Sequence, residues 1–281
     1  MSPSPAPSRG LDRPGAELLA SVVEALRRLW QTDRLLTGFA LLMGLLMLPT
    51  ALGVALDERT LREVNIWIKP LKFQLSLAVL ALTLVVLARP LPAAVRAGRS
   101  WRALVWTVIV TGGFEVAYIT GQAARGQASH YNVGDPVYGA LYSLMGLAAV
   151  VLTASHPWLA ELLRRHAPRD PSAAWRHAVG LGLWLSFVLG VGVGGLLGGL
   201  QPAGGPGVPF LGWSLTGPDL RPAHFVGLHI AQGLPLLALA VSRWPARAGV
   251  GAIWAAGALS SALCVVLVAR ALVGQSFWPL A

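Results

Sequence analysis

The 281-residue sequence predicts an all-α fold: a polytopic membrane bundle of seven transmembrane helices. Three observations carry that reading. Charged residues make up 12% of the chain and hydrophobic residues 55%, about half the charged share of a soluble domain. Apolar runs of ~19–23 residues, long enough to cross a hydrocarbon core of ~30 Å, recur along the whole length. These runs are continuous rather than alternating in polarity, which excludes a closed β-barrel.

Taken in order, the opening "MSPSPAPSRG" belongs to a Pro/Ser-rich tail over residues 1–15 that reads as disordered. Residues 16–33 follow as an amphipathic segment. From Ala16 to Trp30 the apolar residues recur at helical spacing opposite a charged face, the pattern of a helix lying in the membrane interface. A transmembrane domain then occupies residues 34–270, with apolar runs near 35–56, 70–88, 103–124, 136–154, 178–200, 222–242 and 248–269, and residues 271–281 form a C-terminal tail. Pro70, Pro136 and Pro222 open runs, where a missing N–H would go unpaired anyway. Asp135 precedes Pro136 as an N-cap. The first apolar run begins too late to be a signal peptide.

The net charge of +10 does not read as a nucleic-acid footprint, because the arginines fall in short loops between apolar runs. They set orientation instead. The N-terminal segment and the loops after runs 2, 4 and 6 hold five, four, four and two Lys and Arg, against seven on the other side. Discounting Arg9 and Arg13, which lie far from the first run, leaves 13 against seven. The bias predicts a cytoplasmic N-terminus and an extracytoplasmic C-terminus, in a cytoplasmic (bacterial inner) membrane. The lone cysteine, Cys264, excludes a disulfide framework.

The unusual polar stretches, "NIWIKPLKF", "ARGQASHYNVGDP" and "GPDLRPAHFVGLH", all sort to the outward side. Asn65, Lys69, Lys72 and Ser76 are spaced 4, 3 and 4, one helical face if the second span begins slightly before Pro70. Lys69 can snorkel, whereas Lys72 lies deeper and requires an anionic partner. The third span supplies one: Glu115, Tyr118, Gln122 and Arg125 form a stripe, continued by Ser129 and His130, with Glu115 about 15 Å below the outer end. An intramembrane acid marks a functional site unless it is part of a structural ion pair, here Glu115–Lys72.

His224 and His229 open the sixth span. A spacing of five sets their rings about 140° apart around a helix, so they do not chelate one ion as an i, i+4 pair does. With His130 on a loop of the same side, they suggest a divalent metal or a b-type haem held by His130 and one of the pair. Asp219 and Arg221 either orient those ligands or pair with each other. In the fifth span Gly190, Gly194 and Gly198 repeat every four residues, as do Gly195 and Gly199, a face that admits close helix packing or the flat face of a haem or lipid. Ser260, Ser261 and Cys264 bond back to their own helix and carry no chemistry.

The span count is similar to that of membrane zinc hydrolases of the alkaline ceramidase and adiponectin receptor type. That family's zinc motif includes an H-x-x-x-H pair on the last span. Here the pair is one residue wider and on the penultimate span, so no catalytic role carries over. The clusters "WIKPLKF", "SHYN" and "LRPAHFVGLH" resemble a group of bacterial seven-span integral membrane proteins, which implies the fold and no activity. A rhodopsin is excluded because the seventh run lacks a lysine for a Schiff base. The expectation is therefore an outward-facing site of Lys72, Glu115, Tyr118, Gln122, Asn132, Asp219 and Arg221, with His130, His224 and His229 as metal ligands. It would serve redox or hydrolytic chemistry, or else proton-coupled transport or sensing of a small polar ligand, with Lys72 on a carboxylate or phosphate. A purely structural membrane protein leaves the Glu115 stripe unexplained.

Overall fold

A computed structural model describes residues 13–169, 172–204 and 207–278. The proposed disordered tail lies outside these residues except for its last three, which are already helical. Helix α1 (Arg13–Thr32) is followed by α2 (Arg34–Leu56), a hairpin of β1 (Thr60–Leu61) and β2 (Val64–Asn65), and α3 (Ile68–Ala88). A short α4 (Ala93–Arg96) leads into α5 (Arg99–Ala124), α6 (Pro136–Thr153) and α7 (Ser155–His166). The chain closes with α8 (Ala173–Gly199), α9 (Arg221–Ala240) and α10 (Ala246–Leu272).

Among the described residues seven helices are long and apolar enough to cross a membrane, α6 and α7 together forming the fourth as Pro136–His166. The protein is an integral multi-pass membrane protein. Each predicted run corresponds to one of these helices.

Local chemistry sets the helix ends. Asp33 caps α2 by accepting from Leu36 N at 2.8 Å, and its second carboxylate oxygen accepts from Trp101 Nε1 at 2.7 Å, tying the start of α2 to the start of α5. Asp135 caps α6, accepting from Val137 N at 2.8 Å, and Ser172 caps α8. Pro70 sits in the first turn of α3 rather than at its first residue. Pro49 and Pro235 fall inside α2 and α9.

Packing divides the bundle into two groups. A large core joins α2, α3, α5 and α7, reaching Leu183 on α8 and Ala231 on α9. A second core lies between α8, α9 and α10. Glycines let α8 and α9 approach. A Cβ on Gly182 would lie 3.1 Å from the Ile230 carbonyl, and one on Gly227 would lie 3.0 Å from Leu189 Cβ. The repeat at Gly190 and Gly194 receives Leu228 and His224, while Gly195 and Gly199 meet nothing within 4 Å. Ser261 bonds back to Gly257 O as expected. Cys264 does not: its Sγ reaches Ala223 O across to α9 at 3.4 Å.

At one end of the bundle the helices are joined by short arginine-bearing loops. At the other, three longer connections meet: the β1–β2 hairpin, the 125–135 loop and the α8–α9 connection. The hairpin turn is Arg62–Glu63, both in the left-handed region with φ of 54° and 67°, as a type I′ turn demands. No glycine or asparagine occupies the turn, so the sequence carries no hairpin signal there.

Candidate ligand-binding site at the polar end of the bundle

The polar end is held shut by side chains that satisfy the carbonyls helix ends leave unpaired. Arg59 Nη1 donates to Ala124 O at 3.2 Å in the last turn of α5. Tyr142 OH donates to Gly198 O at 2.8 Å and Tyr131 OH to Leu197 O, both in the last turn of α8. Arg62 Nη2 donates to the Pro202 carbonyl. Beneath the hairpin, Asp57 accepts from Arg59 Nη2 at 2.6 Å and from Trp67 Nε1 at 2.9 Å, which holds its carboxyl well below the usual range.

Inside this frame sit the cations. Lys69 Nζ donates to Ser129 Oγ at 2.8 Å and Lys72 Nζ to Leu211 O at 2.9 Å. Asp219, fully buried at its side chain, pairs with Arg221 at 2.6 Å. It also accepts from the backbone N–H groups of Ser214 and Arg221 at 2.8 Å each. Arg221 Nη2 reaches Gly212 O at 2.6 Å as well. The Asp219 charge is thus taken up by Arg221, and among the described residues neither lysine touches a carboxylate. Lys69, Lys72 and Arg221 lie close enough for their like charges to act on one another.

This corrects the expected Glu115–Lys72 pair. Glu115 is 3% exposed, its Oε1 has no partner, and the charge acting on it is that of Lys69, out of contact. Gly112 of α5 packs on Leu77 of α3, so Glu115 and Gln74 lie at the same level, one turn nearer the polar end. Gln74 donates to Thr50 Oγ1 at 2.9 Å while its own Oε1 is unpartnered. Leaving such groups unpaired costs about 1–3 kcal/mol each.

The lysine stripe is shorter than expected. Asn65 belongs to β2 and bonds Asp57 O at 2.6 Å, and Ser76 is exposed. On α5, Gln122 is buried and donates to Ala128 O at 3.3 Å, a carbonyl that Asn132 Nδ2 shares at 3.3 Å. The Tyr118 hydroxyl oxygen is buried with the Gln122 side chain beside it, and its ring stacks with Phe114. Arg125 turns outward to Tyr138 OH at 2.8 Å.

The three histidines have separate surroundings. His130 lies between Phe73 and Tyr142, with ring centroids 6.2 and 5.4 Å away, and its Nδ1 is 3.3 Å from Ser129 Oγ. Burial, reinforced by the Lys69 charge, pushes it down to about 3. His229 stacks on Phe225 at 3.9 Å, and its Nδ1 is 2.8 Å from Phe225 O. His224 turns toward α8, where its Cε1 would lie 3.1 Å from a Cβ on Gly194; the Gly190 backbone lies beside the ring, and its buried Nδ1 makes no hydrogen bond of ordinary geometry. Among the described residues no group of three or more His, Cys, Asp or Glu is placed to hold a metal ion.

Sequence reasoning undervalued Ser129 and missed Tyr131 and Tyr142, which close the site from the loop and from α6. Burial raises the Tyr131 hydroxyl above its ordinary range, so it acts as a donor. Comparison with protein-family models, with curated proteins and with solved structures finds no match to this chain.

Proposed function

We propose that the protein binds a small carboxylate or phosphate anion at the polar end and serves as its carrier or sensor, with that end facing outward across a bacterial inner membrane. One observation carries the reading: Lys69 and Lys72 are half-buried, repel one another and Arg221, and have no carboxylate in contact among the described residues. Charges in such a setting need a counter-ion. A bound anion would take the place of Ser129 Oγ and Leu211 O as acceptor. Glu115, beneath Lys69 with a free carboxylate oxygen, is the group that would exchange a proton as the anion enters or leaves.

Thermal melts of the purified protein with inorganic phosphate and with acetate test this. One of the two should raise the midpoint, by ~2.7 kcal/mol of stabilisation at a hundredfold excess over Kd, and Lys72→Met should abolish the rise without unfolding the protein. No rise with either anion, or a rise unchanged in Lys72→Met, removes the proposal.

A metal or haem reading rests on a single observation, the buried His224 Nδ1 that makes no hydrogen bond of ordinary geometry beside the Gly190 backbone, since His130 and His229 direct Nδ1 at other groups. Stoichiometric metal or a Soret band that is lost in His224→Ala would establish it.

A further inference from the structure

We infer a second binding site at the arginine-rich end: a cleft between α1 and the end of α3 that takes the phosphodiester of an anionic phospholipid. The cleft has a volume of about 420 Å³ and is lined by Ser21, Glu24, Arg28, Leu29, Val86 and Arg89, together with Ala25.

Its charge is available. Arg28 spends only its Nε on Glu24, at 2.8 Å. Among the described residues its two terminal nitrogens have no hydrogen-bond partner, and neither does the Arg89 guanidinium. Arg89 is also held in place, because Arg96 Nη1 bonds the Arg89 and Leu91 carbonyls at 3.1 and 3.0 Å and closes the turn after α3.

The walls distinguish a lipid from a free phosphate. Ser21, Glu24 and Arg28 lie on the charged face of α1, and Ala25 and Leu29 stand at its border with the apolar face. The apolar face exposes Leu18, Leu19, Val22 and Val23, which none of the described residues covers. Val86 is exposed on the adjoining face of a membrane-spanning helix. A headgroup phosphate between the two arginines therefore has acyl chains running along α3 and under α1, whereas inorganic phosphate gains nothing from Leu29 or Val86. Interfacial basic groups contribute about 1 kcal/mol each toward an anionic lipid, which is roughly five-fold in affinity per arginine.

The test uses the full-length protein in neutral detergent micelles doped with phosphatidylglycerol, phosphatidylcholine or neither, with inorganic phosphate as a fourth arm. The readouts are the thermal midpoint and the lipid retained after gel filtration. Phosphatidylglycerol alone should raise the midpoint and be retained. The double variant Arg28→Gln/Arg89→Gln should bind it on the order of 25-fold more weakly. Val86→Trp, which fills the cleft and leaves both arginines, should also lose retention, and it decides the matter if the double variant fails to fold. Equal effects of the two lipids, a phosphate effect matching that of phosphatidylglycerol, or retention unchanged in the variants that fold would each overturn the inference.

Discussion

His130 is enclosed by Phe73 and Tyr142 with the Lys69 charge beside it, and that enclosure gives it a measurable signature. Its folded value of about 3 lies below the ordinary 6.5, so between those limits the unfolded chain binds the proton that the folded one refuses. The contribution of His130 to stability is therefore fully present above about pH 6.5 and is lost as the pH drops toward 3. Denaturation midpoints at pH 7 and 4.5 should drop further for the native chain than for His130→Gln. Equal drops would show that the imidazole is not shielded as described. Asp57 adds its own loss only below its ordinary value of 3.8, outside this comparison. The same enclosure makes His130 a poor ligand, since its Nδ1 faces Ser129 Oγ and the ring is flanked by aromatics.

Among the elements, the α8–α9 pair is the most sensitive to added volume. A Cβ on Gly227 would lie 3.0 Å from Leu189 Cβ and 3.4 Å from the Gly190 backbone N, and neither can move without shifting α8. Gly227→Val should cost ~1–3 kcal/mol through overpacking. Gly233→Ala, on the same helix with nothing within 4 Å, should be neutral or slightly stabilising, because alanine is the better helix former. Urea titrations in micelles compare them, and similar midpoints would mean that the close approach contributes little. The glycine repeat was legible as a packing face. Its division was not: Gly190 and Gly194 receive Leu228 and His224, whereas Gly195 and Gly199 stay open, and only the rotation of α8 against α9 distinguishes the two rows.

At the scale of the whole molecule, the distribution of arginines predicts which end faces the cytoplasm. With Cys264 replaced by alanine, Gly134→Cys in the α5–α6 loop should react with a membrane-impermeant thiol reagent in intact cells. Ala94→Cys in α4 should react only after lysis. The reverse labelling would invert the orientation and place the lysine cluster inside. The anion proposal depends on that side for its direction of transport, while the lipid cleft does not.

The sequence by itself determined the seven spans and the polar character of one end, because hydrophobic length and the placement of charge are local properties. It ended the fourth run at 154, whereas the helix continues through α7 to His166. It also showed that His224 and His229 cannot share a helix face, since residues five apart diverge by simple geometry. Tertiary structure alone decided the pairings. Lys72 bonds the Leu211 carbonyl rather than Glu115, Lys69 rather than Lys72 lies nearest Glu115 in charge, and Asp219 is taken up by Arg221 two residues away. Each outcome depends on where the α8–α9 connection and the 125–135 loop fold back over α3, and on how many orphan carbonyls those loops present there. Residues separated by 60 to 140 positions meet only once those carbonyls have been matched with donors, and no local pattern in the chain encodes that matching.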